Sequence, residues 1–150
     1  MVRYEYFENY NLLIVQLEGV VAMHDFIEIL ANINNEFKHG ELDYILCDLR
    51  KSIFNFSAIK VIEILKYRAQ HTNFGPKYRS VLLVDDVKQT TFSTLYSHFS
   101  QTQNLKLDIK VCVTITKASF MLGLKIFPAE LERMLQSLNC TFKNPEKIRL

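Results

Sequence analysis

Tryptophan is absent from this 150-residue chain, glycine occurs only four times and cysteine three times. So few glycines exclude the turns that several chemistries need. There is no GxSxG strand-to-helix elbow for a serine hydrolase and no glycine-rich loop to cradle a phosphate. Cys47, Cys112 and Cys140 show no CxxC spacing, and His24, His39, His71 and His98 form no HxH or HExxH pair, so no metal site is expected. Cys47 and Cys112 sit instead in apolar strand-like runs, where a thiol is a small hydrophobe with a raised pKa. Buried free thiols fit a reducing, cytoplasmic setting.

Long apolar runs are missing too. None approaches the ~20 residues that span a bilayer, and the opening MVRYEYFENY lacks the charged-then-apolar pattern of a signal peptide. The expectation is a soluble protein, neither secreted nor membrane-inserted. The 18 basic and 16 acidic residues are scattered for a net charge of +2, with no basic block that would track a phosphate backbone, so nucleic acid is not an expected partner. No internal repeat, low-complexity tract or interdomain linker interrupts the chain.

The chain does have an apolar content of 49% in a length suited to one domain. Tyr4–Phe7 and Leu12–Leu17 read as strands joined by a hairpin turn at Glu8–Asn11. From Asp25, apolar residues at helical spacing (Phe26, Leu30, Ile33, Phe37) predict a helix ending at Lys38-His39-Gly40. Leu42–Leu49 suits a buried parallel strand that stops at Arg50-Lys51. Ser57 is the natural N-cap of a second helix through Ala58, Val61, Ile62, Leu65 and Ala69, which the turn Asn73–Pro76 breaks. Arg79–Val84 is a further strand, ending at Asp85-Asp86. Phe92, Leu95, Tyr96 and Phe99 mark a third helix before the polar link Ser100–Asn104. Ile109, Val111, Val113 and Ile115 alternate as a strand. Thr116 is expected to cap a short helix Lys117–Leu124, and Pro128 opens a last one. Residues 144–150 read as a frayed tail.

The resulting order, β-β-α-β-α-β-α-β-α with an added helix, predicts an α/β fold. Its sheet is mixed, mostly parallel and four- to five-stranded, with an antiparallel N-terminal edge and flanking helices. Leu17-Glu18-Gly19-Val20-Val21, the strand Ile45–Arg50, the strand Ser80–Asp85, and Val113–Leu124 with Ala118 and Leu122 carry a family resemblance within this order. The chain resembles the SpoIIAA-like (STAS/SEC14-domain) family of small bacterial proteins, whose fold is that of the anti-sigma-factor antagonists. The resemblance covers residues 2–124 and makes 1–124 the domain, with 125–150 a helical extension packed on or next to it. It implies a domain used for protein association, some relatives binding small or lipid-like ligands. In the phosphoregulated antagonists an Asp-Ser-Ser-Gly motif comes after the central strand; Ser57 is the residue that matches it here, without the acidic residue or the glycine.

Ser57 has two readings. A phosphate there would meet the free N–H groups and positive dipole of a helix start; the plainer role is an N-cap worth about 1 kcal/mol. Asp48, Asp85 and Asp86 are expected at strand ends along one sheet edge, either as a magnesium-holding trio or as turn and cap residues. The 11 Phe and 7 Tyr either fill the core or line a groove beside the sheet. The expected function is a non-enzymatic cytoplasmic interaction module without a cofactor, presenting Asp48, Phe54, Phe56 and Ser57 to an unidentified protein partner or to a second copy in a homodimer. The alternative is a carrier or sensor of a small apolar or lipid-like ligand in an aromatic-lined pocket.

Overall fold

The computed structural model describes residues 1–37, 42–71, 78–102, 108–138 and 140–141. Along the chain run β1 (Val2–Phe7), β2 (Leu12–Val21), α1 (Met23–Glu36), β3 (Tyr44–Phe54), α2 (Val61–His71), β4 (Arg79–Leu83), α3 (Val87–Thr102), β5 (Asp108–Cys112), α4 (Ile115–Leu122), α5 (Pro128–Gln136) and β6 (Cys140–Thr141). The strand order is β5-β4-β3-β2-β1-β6. Strands β2 to β5 are parallel, and β1 is antiparallel to β2 and to β6. This is the α/β architecture expected from the sequence, with the two-residue β6 as an addition on the outer side of β1.

From β2 to β5 each new strand is laid beside the last in the same direction. Right-handed crossovers then put every connecting helix on one face. There α1, α2 and α3 pack Ile29, Ile33, Ile64, Leu65, Phe92 and Tyr96 against Leu13, Val15, Leu17 and Ile45. The same winding leaves the other face, with Leu12, Ile14, Leu46, Val81 and Leu83, to the helices after β5. Ala118 and Leu122 of α4 and Leu131 and Leu135 of α5 cover it. Strands dry on both faces explain why the sequence reads as unbroken apolar runs such as LLIVQL.

β3 does not stop at Arg50-Lys51. In its ladder with β2, Gln16 faces Asp48 but Glu18 faces Lys51, so β3 carries one extra residue, a bulge. Ahead of it, Ile45 and Leu49 point into the α1–α3 layer and Leu46 into the α4–α5 layer. Beyond it, Phe54 belongs to the α1–α3 layer. The charged pair that looks like a strand end is the place where the strand changes phase.

Helix starts differ from the sequence reading for local reasons. α1 begins at Met23, and the Asp25 carboxylate accepts the Ala22 N–H at 2.6 Å. Ser57 makes no side-chain capping bond; a 3-10 turn, Ala58–Lys60, precedes α2. Thr114, not Thr116, caps α4 by accepting the Lys117 N–H at 3.1 Å, so Ile115 is helical and β5 ends at Cys112. Gly123 closes α4 at φ 68°, where a Cβ would stand 3.2 Å from Arg79 Nη1. α3 runs to Thr102, into the expected polar link. The expected helix end at Lys38–Gly40, the Asn73–Pro76 turn and the tail from Asn144 lie outside the described residues.

Candidate functional site

Asp48 is not at a strand end but inside β3, with 0% exposure. Its Oδ1 accepts the Arg50 backbone N–H at 3.1 Å and Nε at 3.0 Å, while Oδ2 accepts Arg50 Nη2 at 2.9 Å and Gln16 Nε2 at 3.2 Å. The first of these bonds spans the bulge, so the carboxylate holds the phase change in place. Its bonds raise the Arg50 guanidinium pKa, with the charges of Asp48, Glu132 and Asp85 adding to the effect and burial opposing it. These four bonds all stay inside the protein, which makes the carboxylate a structural group and not a surface one.

The end of β3 reaches past β4, whose ladder with β3 ends at Asp48 and Leu83. Side chains from the start of α3 replace the missing neighbour. Gln89 Nε2 donates to the Ser52 carbonyl at 2.8 Å, and Gln89 Oε1 accepts the Asp85 N–H at 3.0 Å. Lys88 Nζ donates to the Phe54 carbonyl at 2.7 Å. With its Ser52 and Phe54 carbonyls taken, this edge is a poorer template for another strand. Asp86 caps α3 by accepting the Gln89 N–H at 2.7 Å. The aspartates therefore have separate duties, and no group of three or more His, Cys, Asp or Glu suited to a metal ion occurs among the described residues.

The aromatics of the link are packed together. Phe54 stacks on Phe56 with ring centroids 5.1 Å apart, and Phe26 and Phe92 meet both rings. Phe54 is buried, Phe56 is half-buried and Ser57 is exposed. Of the four residues expected to form an interaction surface, Phe54 and Phe56 are thus in contact and Ser57 lies next to them, whereas Asp48 faces the opposite layer. Burial of Asp48 and Phe54 removes both from any surface: one is consumed by the bulge, the other by the core.

Beside this aromatic group lies a cavity of about 70 Å³, walled by Val15, Phe26, Cys47, Tyr78, Phe92 and Tyr96 among others. Cys47 keeps some accessible surface because it faces this void. Burial, aided by the Asp48 charge, pushes its thiol up to about 12, and burial pushes Cys112 up to about 11. Both sulfurs are free and unsuited to nucleophilic chemistry near neutral pH.

Exposed apolar side chains form the second feature. Among the described residues Met1, Val20, Ile53, Ile59, Val87, Val113, Phe120 and Phe127 are large, apolar and exposed. The first six share one end of the sheet. Val20 and Ile53 are register partners near the ends of β2 and β3. Ile59, Val87 and Val113 come after β3, β4 and β5. Met1 pairs with Glu18 through both backbone groups. This is the C-terminal edge of the parallel strands, where ligands of open α/β sheets bind. The sequence reading missed it, although the adjacent apolar pairs Val20-Val21 and Ile53-Phe54 held the signal, because neighbours in a strand point to opposite faces.

No protein-family model matches the chain, and no curated protein matches it. Among the described residues no helix is long and apolar enough to cross a membrane.

Proposed function

We propose that this chain is a non-enzymatic protein-interaction module of the cytoplasm, of the SpoIIAA-like bacterial type that its sequence resembles, and that it docks its partner at the C-terminal edge of the parallel strands. The observation that carries this reading is the presence of six exposed apolar side chains along that edge, among them the register partners Val20 at 65% and Ile53 at 64% exposure. The polar groups nearby favour docking over catalysis, since Asp48, Arg50, Gln16 and Gln89 spend their hydrogen bonds on one another and on the backbone.

Affinity capture with quantitative mass spectrometry tests the edge. Val20→Asp with Ile53→Asp is expected to deplete the captured partner at least about tenfold while leaving the fold intact, because exposed positions tolerate substitution. Thr94→Asp, on the exposed side of α3, serves as the control. Equal capture by all three proteins would remove this edge from consideration. Sedimentation of the same variants tells a second copy from a different partner.

The cavity carries a second reading, uptake of a small apolar ligand. At about 70 Å³ it has roughly half the volume of an engineered ~150 Å³ cavity that takes benzene, which limits the occupant to a few heavy atoms. If the cavity is empty, Val15→Ile fills part of it and is expected to stabilise the protein by up to about 0.8 kcal/mol in urea unfolding. Native mass spectrometry that recovers a bound apolar molecule, with Val15→Ile lowering stability, would instead make the ligand reading primary.

A further inference from the structure

Nine phenylalanines lie among the described residues, and seven are buried or partly buried. The other two, Phe120 and Phe127, are 85% and 78% exposed. They stand at one corner of the molecule. Phe120 is in the last turns of α4, which Gly123 closes through a bond from its N–H to the Phe120 carbonyl. Phe127 caps α5 from the far side of the connection. The Ser119 hydroxyl donates to the Ile126 carbonyl, so the residue after each end of this bond is an exposed phenylalanine.

The stretch of sequence that carries both rings is itself free of acids, with Asp108 and Glu130 bounding it. From Ile109 to Ala129 the sequence holds Lys110, Lys117 and Lys125 and no Asp or Glu. Lys110 is paired with Asp108. Lys117 and Lys125 are exposed and make no ion pair among the described residues. Lys117 lies one turn before Phe120 on α4, the spacing that puts two side chains on the same side of a helix. Lys125 precedes Phe127 by two residues. The nearest acid downstream, Glu130, accepts the Tyr10 hydroxyl at 3.1 Å.

We propose that this corner is a peripheral docking site for an anionic lipid surface. The rings alone would suit any apolar partner; the acid-free stretch with two unpaired lysines selects an anionic one. A projecting pair of aromatic rings needs no complementary pocket in order to enter the headgroup region of a bilayer. Burial of apolar area together with lysine attraction to acidic lipids is how surface-bound proteins hold to membranes without crossing them. Two rings and two cations make the attachment weak, reversible and salt-sensitive. The site lies on different elements from the proposed partner-docking edge, so one chain could hold a partner and a membrane together.

Flotation with phosphatidylcholine vesicles, with and without phosphatidylglycerol, tests the assignment. The wild-type chain is expected to float with the anionic vesicles only, and less at high salt. Lys117→Glu with Lys125→Glu should weaken that partition by at least about fivefold per lysine. Phe120→Ala with Phe127→Ala should abolish it while the melting temperature stays unchanged, because neither ring is packed in the core. Val20→Asp with Ile53→Asp should leave vesicle binding intact, which separates this inference from the docking edge. Failure of the wild type to float, or undiminished flotation of the two corner variants, overturns it. So does sedimentation in which the phenylalanine variant loses only self-association, an outcome that assigns the corner to a second copy.

Discussion

Asp48→Ala is expected to cost about 3–5 kcal/mol of folding stability, the range for removing one partner of a buried ion pair. The carboxylate has 0% exposure and accepts three bonds from Arg50 and one from Gln16. Without it, the partly buried Arg50 guanidinium loses its counter-charge, and the bulge loses the bond that spans it. In a protein with a typical stability of roughly 5–15 kcal/mol, that loss lowers the urea midpoint severely. Replacing both partners, Asp48→Leu with Arg50→Met, should be less damaging than Asp48→Ala, because no charge is then left without a partner. A loss below about 1 kcal/mol for the single variant would show that Asp48 does not hold the bulge.

Gln89→Leu should be the next most harmful change. The Gln89 side chain is 1% exposed, and its amide serves the Ser52 carbonyl and the Asp85 N–H at once. Leucine supplies similar bulk and neither bond, leaving two backbone groups orphaned at about 1–3 kcal/mol each. The expected cost is therefore about 2–6 kcal/mol, with faster hydrogen exchange at the Ile53 and Phe54 amides. Lys88→Met provides the contrast. It removes the bond to the Phe54 carbonyl, but Lys88 is exposed and water can replace it, so the change should stay within about 0.5 kcal/mol. Equal effects from the two substitutions would contradict the role given to burial.

The architecture was legible because each strand is a short apolar run and each helix carries a stripe at helical spacing. The winding rule then allows few sheets. The site was much less legible, and Asp48 shows why. Read along the chain, Asp48-Leu49-Arg50-Lys51 is a charged strand end. Read in space, two of its charges neutralise each other inside a bulge, and the strand continues for three more residues to Phe54. A single extra residue swaps inside and outside for the rest of the strand, which periodicity cannot detect without the register of the neighbouring strand. Ser57 is a similar case: a serine before an apolar stripe reads as a cap, but the 3-10 turn takes up its backbone carbonyl and leaves the hydroxyl without a capping bond. The aromatic content could be counted in the sequence; that Phe120 and Phe127 stand exposed among the described residues could not.

The way α5 and β6 close the structure has a consequence for synthesis. Leu12 and Ile14 are made well before the side chains that cover them, Leu131 and Leu135. β1 gains its outer neighbour only at Cys140–Thr141. During synthesis the β1–β2 hairpin is complete long before these partners, and until they arrive one of its faces is uncovered and one edge unpaired. Apolar surface and an unpaired strand edge exposed over that interval favour aggregation.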